Sequence, residues 1–408
     1  MSGALQGLRV LDLSRILAGP LVGQMLGDMS AEVFKIERPG KGDDAREMGP
    51  PFLAREDGSD TTTAGFYLAC NRNKKSVAID LSQEAGQALV RKLARTCDVV
   101  IENFKVGTLA RYGLDYESLR AENPALVYCS ITGFGQTGPL AKKPGYDGIF
   151  QAMGGMMSVS GQPDGAPGAG PMKVGISIVD ILTAYNATIG ILAALRHRDT
   201  TGSGQYLDIS LLDCGIASLS HFAQNYLISN EVPERRGNGG YGGIPSQAFQ
   251  CSDRQIFVVV GNNGQYSRFC DAIGRHDLFI DARFCTGPLR IANRKLLVPI
   301  LDDIFSKASA QHWVTALEAA GVPVSYVNDI RQVFEEPQVM ARGLKTTIAH
   351  PEAGSVSIIS NPLRFSLTPI ETYTPPPSLG QHSDEVLAAE LGLDAKTIMR
   401  LRENGTVG

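Results

Sequence analysis

Leu8-Arg-Val-Leu-Asp-Leu-Ser-Arg-Ile-Leu-Ala-Gly-Pro20, followed closely by Glu32-Val-Phe-Lys-Ile36, is the stretch that decides the fold. Leu8–Leu13 is a short apolar run of the kind that forms a buried strand. Gly19-Pro20 opens a helix expected over Leu21–Met29. Glu32–Ile36 is a second strand, stopped by Arg38-Pro39-Gly40. The same alternation continues. Ser76–Ile79 reads as a third strand, and Ser82 can cap a helix with apolar positions at Ala85, Leu89, Val90 and Leu93. Asp98–Glu102 and Leu126–Ile131 follow as a fourth and a fifth strand. Strands alternating with helices specify an α/β fold with a parallel sheet, and ligands bind such sheets beyond the carboxyl ends of the strands.

The character changes near Thr200. Thr201-Gly-Ser-Gly-Gln205 is a turn, Tyr206–Ile209 a strand, and Leu211 to about Ser229 a helix. Arg235–Gly243 is glycine-dense, and an α+β module runs from Gln255 to about Val327. The expected organisation is a large domain begun by residues 1–200, a linker at 201–235 and a small domain at 236–327. Residues 328–408 return to complete the large domain.

The chain has 408 residues and a formal charge of −4 without a basic block, which argues against a nucleic-acid partner or a polybasic membrane anchor. Seven scattered cysteines with no C-x-x-C suggest reduced thiols and a cytoplasmic location. The N-terminus shows no signal-peptide core, and the apolar stretch from Val174 to Leu195 contains Asp180 and Asn186, so no membrane span is expected.

P-loop, nucleophile-elbow and H-E-x-x-H patterns are missing, and the six histidines have no metal-ligand spacing. G-x-G-x-x-G is absent after the first strand and occurs later at Gly133–Gly138, where Pro139 and Pro144 make it a loop. Asp180 is then the leading candidate, as the only charged residue between Lys173 and Arg196. Near a helix N-terminus its ionised form should be favoured, and an ionised, partly desolvated carboxylate can be a nucleophile. The alternative is a helix-capping Asp. Gly239–Gly243 can bring backbone N–H groups close to a substrate, or can be a plain flexible linker. Arg38, Lys74, Lys75, Asn103, Phe104 and Arg111 flank strand ends, where they can hold a phosphorylated ligand with a ring for stacking, or can simply face water.

These residues fall in an ordered set. Leu8–Ser14, Ala18-Gly-Pro20, Ala31–Gly40 with Gly42-Asp43, Asn73-Lys-Lys-Ser76, Glu102-Asn-Phe104, Gly145-Tyr-Asp147 and Gly154 resemble the motifs of the family III CoA-transferases nearly end to end. The resemblance implies a Rossmann-like large domain with a parallel sheet, a smaller α+β domain, and an interlocked homodimer. Each site would lie between the large domain of one subunit and the small domain of the other. It implies Asp180 as nucleophile and Gly242 and Gly243 in the loop that closes over the acyl group. It also implies Leu17, Ala18, Arg38, Ile79, Asp80, Leu81, Ser82, Asn103, Phe104, Lys105, Arg111 and Tyr146 as coenzyme A contacts. No permanently bound cofactor or metal is implied. The partners are an acyl-CoA, a small carboxylic acid and a second copy of the chain.

Two departures from the family pattern stand out. Leu17 replaces the Gln of formyl-CoA transferase, which puts formyl-CoA/oxalate exchange in doubt, and Tyr241 in the glycine loop would narrow the acyl site. The related α-methylacyl-CoA racemases read Gly-His-Asp where this chain has Gly145-Tyr146-Asp147, and a phenol is a far poorer base near neutrality than imidazole. A non-catalytic CoA-binding subunit is the third reading. Arg235 or Arg236 could bind the remote carboxylate of a dicarboxylate, and Leu17 with Met153–Met157 suggests apolar walls for a short chain. Succinyl-CoA or a similar short dicarboxylyl-CoA is therefore the expected donor.

Overall fold

The computed structural model describes residues 3–240 and 242–408. Tyr241, and with it the expected narrowing of the acyl site, lies outside the described residues. The chain divides into two units, Met1–Met156 with Val174–Ile228 and Met340–Gly408, and Met157–Lys173 with Ser229–Val339. Chain contacts thus group Met157–Lys173 with the second unit and carry that unit on to Val339.

The first unit is built on strands β1 (Arg9–Asp12), β2 (Glu32–Glu37), β5 (Lys75–Ala78), β6 (Val99–Glu102), β7 (Val127–Thr132) and β8 (Tyr206–Ser210), with a hairpin of β3 (Phe52–Ala54) and β4 (Asp60–Ala64) between β2 and β5. The six form one parallel sheet in the order β5-β2-β1-β6-β7-β8. The expected five strands are all present, within a residue or two of their expected bounds. Residues 201–235, read as a linker, begin with the sixth strand of this sheet.

Side chains along a strand alternate between faces, so each apolar run supplies two cores. Leu11, Phe34, Val77, Val100 and Tyr128 pack on one face with Leu89, Val90 and Leu93 of helix α2 (Glu84–Arg95). Val10, Val33, Ile101 and Val127 pack on the other with helix α1 (Ala18–Asp28) and the long helix α4 (Ile178–Thr201), through Val22, Leu26, Ala184, Ala187 and Ile191. By length and composition α4 could cross a membrane, but this buried stripe is that of a core helix. Ser82 does not cap α2; its amide and hydroxyl both bond Asp80 Oδ1, and Gln83 holds the cap position without a side-chain bond to the helix's amides. The C-terminal segment docks on β5 and the residues just after it. Gly408 donates to Ala78 O, Asp80 to Thr406 O, and His382 to Ser76 O.

Strand order reverses at β1. The chain moves outward through β2 and β5, then returns to add β6 on the other side. This switch point leaves a crevice beyond the carboxyl ends of β1 and β6, where an open parallel sheet receives its ligand.

The second unit contains the antiparallel strands β9 (Ser246–Gln250), β10 (Gln255–Val259) and β11 (Val324–Tyr326), in the order β11-β10-β9. Its own core includes Phe249, Ile256, Phe269, Leu297, Phe305, Trp313 and Leu317. A further hairpin, β12 (Lys345–His350) and β13 (Gly354–Ile359), belongs to the first unit.

Candidate active site

Asp180 stands in the first turn of α4. The amide groups that were expected to hold its charge are taken by another residue. Asp147, the first residue of the short helix α3 (Asp147–Met153), accepts through Oδ1 from the N–H of Val179 at 2.7 Å and of Asp180 at 3.3 Å. Gln151 fixes Asp147 from one turn on, donating to its Oδ2 at 2.5 Å and accepting from the Val174 N–H at 2.8 Å. Asp147 therefore caps α4, and Asp180 does not. Burial first, and the Asp147 charge second, push the Asp180 carboxyl up to about 7, the reverse of the expected stabilisation of its ionised form. Among the described residues its carboxylate has no hydrogen-bond donor and no cation as partner.

Asp180 opens into a cleft of about 250 Å³ with Leu17, Ala18, Asn103, Phe104, Lys105 and Tyr146. Arg15, Lys142 and Lys143 join them. A second cleft of about 260 Å³ is lined by Arg38, Ile79, Asp80, Leu81, Ser82 and Tyr112. Arg15 and Phe104 border both clefts, and the Arg15 guanidinium stands 5.4 Å over the Phe104 ring. The two clefts make one groove at the switch point. Aromatic faces and basic side chains along it suit a nucleotide with phosphates.

The structure thus brings twelve of the sequence-based candidates to this groove: Leu17, Ala18, Arg38, Ile79, Asp80, Leu81, Ser82, Asn103, Phe104, Lys105, Tyr146 and Asp180. Arg111 lies outside both linings; it is exposed beside Tyr112, which takes the place in the groove. The Asn103 side chain is engaged with the backbone of Arg15, accepting from its N–H at 2.9 Å and donating to its carbonyl at 2.7 Å. Gly242 and Gly243 belong to the second unit. A Cβ on Gly243 would lie 2.2 Å from Val260 O, so only glycine fits there, whereas a Cβ on Gly242 would meet nothing within 4 Å among the described residues. Met153 is exposed and Met153–Met157 lie outside the cleft lining, so of the apolar residues expected there only Leu17 lines it, with Ile16, Val106, Ile131 and Leu211 beside it. In the second unit the Arg235 guanidinium is bound to Asp164 and to Gln162 O. Arg236 instead lines a cavity with Asn238, Arg294 and Lys295.

Arg15, Lys142 and Lys143 were not among the sequence-based candidates, and Asp147 was named only within Gly145-Tyr-Asp147, without a role. Lys142-Lys143 precede Pro144 in the loop after β7, and a basic pair beyond a strand's carboxyl end is the signal that could have found them. Gly145 after them leaves room for Phe150, whose ring would otherwise meet a Cβ at 2.2 Å.

Beneath the groove lies a paired ionic floor. Arg46 grips Glu37 with two bonds of 2.8 Å, and Ser76 donates to the same carboxylate at 2.6 Å. Lys35 meets Asp43 at 2.9 Å, and Lys74 meets Asp12 at 2.8 Å. All six charged side chains are buried. Burial alone would raise the Glu37 and Asp43 carboxyls. Arg46 for Glu37, and Lys35 with the Ala45 and Ile16 amides for Asp43, outweigh it and hold both below the ordinary carboxylate range.

The profile of CoA-transferase family III matches residues 5–383. The chain belongs to that family. It is 44% identical over 384 residues to the succinate–glutarate CoA-transferase of Agrobacterium fabrum, covering 94% of this chain and 95% of that one. It is 39% identical to the human succinyl-CoA:glutarate CoA-transferase, over 99% of this chain and 90% of that one. Among solved structures, a CAIB/BAIF family protein from Brucella suis superposes with a TM-score of 0.85 at 42% identity, over 96% of this chain and 100% of that one. This family III enzyme is a CoA-transferase, as the motifs implied. Its substrate is a CoA thioester.

Proposed function

We propose that the enzyme moves coenzyme A from succinyl-CoA to glutarate or a similar short dicarboxylate, with Asp180 as the covalent carrier. The observation that carries the mechanism is a carboxylate that is desolvated, unpartnered among the described residues, and set in a groove lined with basic side chains. Unlike the buried carboxylates of the floor, it has no interaction to give up before it reacts. Its raised pKa also makes the ionised form more basic, and so a stronger nucleophile.

The Asp180 carboxylate attacks the donor thioester carbonyl, giving an acyl-aspartyl anhydride and CoA thiolate. The thiolate attacks the aspartyl carbonyl, forming aspartyl-CoA and releasing the donor acid. The acceptor carboxylate then attacks aspartyl-CoA, giving a new anhydride and freeing the thiolate again. Attack of that thiolate on the acceptor carbonyl yields the product thioester and regenerates Asp180. One thioester is consumed and one is formed, so no external energy source enters.

The proposal gives Gly242 and Gly243 the part of amide donors to the oxyanions. Leu17 is an apolar wall for a short chain, and Arg236, which lines a cavity with Asn238, Arg294 and Lys295, is the candidate for the remote carboxylate. The Agrobacterium fabrum and human relatives are named for succinate or succinyl-CoA and glutarate, in keeping with a short dicarboxylyl donor. Assembly as an interlocked homodimer is supported by apolar side chains left open on the single chain, among them Ile189 on α4 and Leu227, Ile228 and Val232. Seven free cysteines, six of them buried, support a cytoplasmic setting.

The test is a steady-state panel of succinyl-, glutaryl-, acetyl- and long-chain acyl-CoA donors against succinate, glutarate and monocarboxylate acceptors. Highest kcat/KM for a short dicarboxylyl donor with a dicarboxylate acceptor is expected. A preference for the long-chain thioester would overturn the substrate assignment.

A further inference from the structure

Ile16 occupies the left-handed region, with φ of 72°. The other four non-glycine residues with positive φ among those described are Ser or Asn, and neither is β-branched. A β-branched side chain is a rare occupant of this region, and such strain persists only where the surroundings enforce it.

The enforcement is visible. Lys35 Nζ donates to Ser14 O at 3.0 Å. Asn103 holds both the N–H and the carbonyl of Arg15, at 2.9 and 2.7 Å. Asp43 Oδ1 accepts from the Ile16 N–H at 3.0 Å and from Ala45 N–H at 2.9 Å, while its other oxygen meets Lys35 at 2.9 Å. The backbone of Ser14–Ile16 is therefore fastened by side chains from β2, from the loop after β2 and from the loop after β6. The next two residues, Leu17 and Ala18, begin α1 without a side-chain cap and line the cleft with Asp180.

We propose that Asn103 and the buried Lys35–Asp43 pair are positioning residues, which hold Ile16 in its strained conformation and so set where Leu17 and Ala18 stand in the Asp180 cleft. Released, Ile16 relaxes to negative φ and the start of α1 moves away from its place in the cleft. This role rests on the reading of the Asp180 cleft as the reaction centre. The turnover of Asp180→Asn tests that reading separately, without touching the strained segment.

The experiment is a double-mutant cycle. Asn103→Ala is made in the natural chain and in an Ile16→Gly chain, and each variant is assayed with the donor and acceptor that give the natural enzyme its highest kcat/KM. Glycine adopts positive φ without strain and has no need of the clamp. In the natural background Asn103→Ala is expected to lower kcat about 10- to 100-fold, with KM for the CoA donor changed less than about threefold. In the Ile16→Gly background the same change is expected to lower kcat less than about threefold. Equal losses in both backgrounds, or a loss carried by KM, would overturn the proposal and leave Asn103 as a direct coenzyme A contact. Should Asn103→Ala not fold, Asn103→Asp keeps the acceptor for the Arg15 N–H and loses the donor to its carbonyl. It is judged in the same cycle by the same dependence on the Ile16→Gly change.

Discussion

The floor of the groove buries its carboxylates and the Asp180 face half-buries one, and the two are treated in opposite ways. Below, Glu37 and Asp43 are gripped by Arg46 and Lys35 and held below the ordinary carboxylate range. Above, Asp180 is raised to about 7, because burial and Asp147 act on it and no cation among the described residues answers them. The helix N-terminus that could have stabilised its charge is occupied by Asp147. Burying an unpaired carboxylate is costly, and a fold that leaves one so keeps it reactive. The proposed mechanism puts the chemistry where the pairing stops.

Breaking that contrast at its reactive end gives the largest effect. Asp180→Asn keeps the shape and removes the nucleophile, so kcat falls by about four orders of magnitude in a steady-state assay checked for deamidation. Near-native turnover would show that the unpaired carboxylate is not the carrier. Breaking it at the floor acts on the fold instead. Asp43→Ala leaves Lys35 buried without its partner and destabilises by about 3–5 kcal/mol in denaturant unfolding.

Acid sharpens the comparison. Between pH 8 and 5, kcat/KM falls about tenfold per unit once pH is below 7, as Asp180 takes up its proton. The floor carboxylates respond with the other sign. Their folded pKa values are depressed, so the stability they contribute is present above the unfolded carboxylate range and is lost as pH falls through their folded values. For Asp180 the folded value is raised, so its charge weakens the fold above about 7 and the penalty fades as pH drops towards the unfolded value. The smallest effect follows from this. Asp180→Asn raises Tm by about 1–3 °C at pH 8, and by less at pH 5, in a calorimetric scan. A lower Tm at pH 8 would mean that Asp180 is stabilised by its surroundings.

The strands of the sheet interior were legible because burial on both faces leaves near-continuous apolar runs such as Val99-Val-Ile and Val127-Tyr-Cys. Tyr206–Ser210 was legible as a strand but not as part of the same sheet, because it is the edge, half-buried and interrupted by Asp208. Arg38, Asn103 and Phe104 could be named because they follow strand ends; Leu17, Ala18, Ile79–Ser82, Lys105 and Tyr146 were named only because the chain resembles the family. The electrostatics of Asp180 could not be foreseen. Its cap arrives from Asp147, 33 positions away, through a side chain bonding to backbone amides that no local pattern reveals. The strain at Ile16 was hidden for the same reason: its supports at Lys35, Asp43 and Asn103 lie far along the chain.

The central claim is that Asp180 itself receives coenzyme A. Incubation with succinyl-CoA in the absence of an acceptor, acid quench, and intact-mass and peptide analysis test it most directly. The account predicts a coenzyme A adduct, formed with loss of water, on the peptide holding Asp180, absent from Asp180→Asn and discharged by added glutarate. An active enzyme that never carries this adduct, or carries it on another residue, would contradict it.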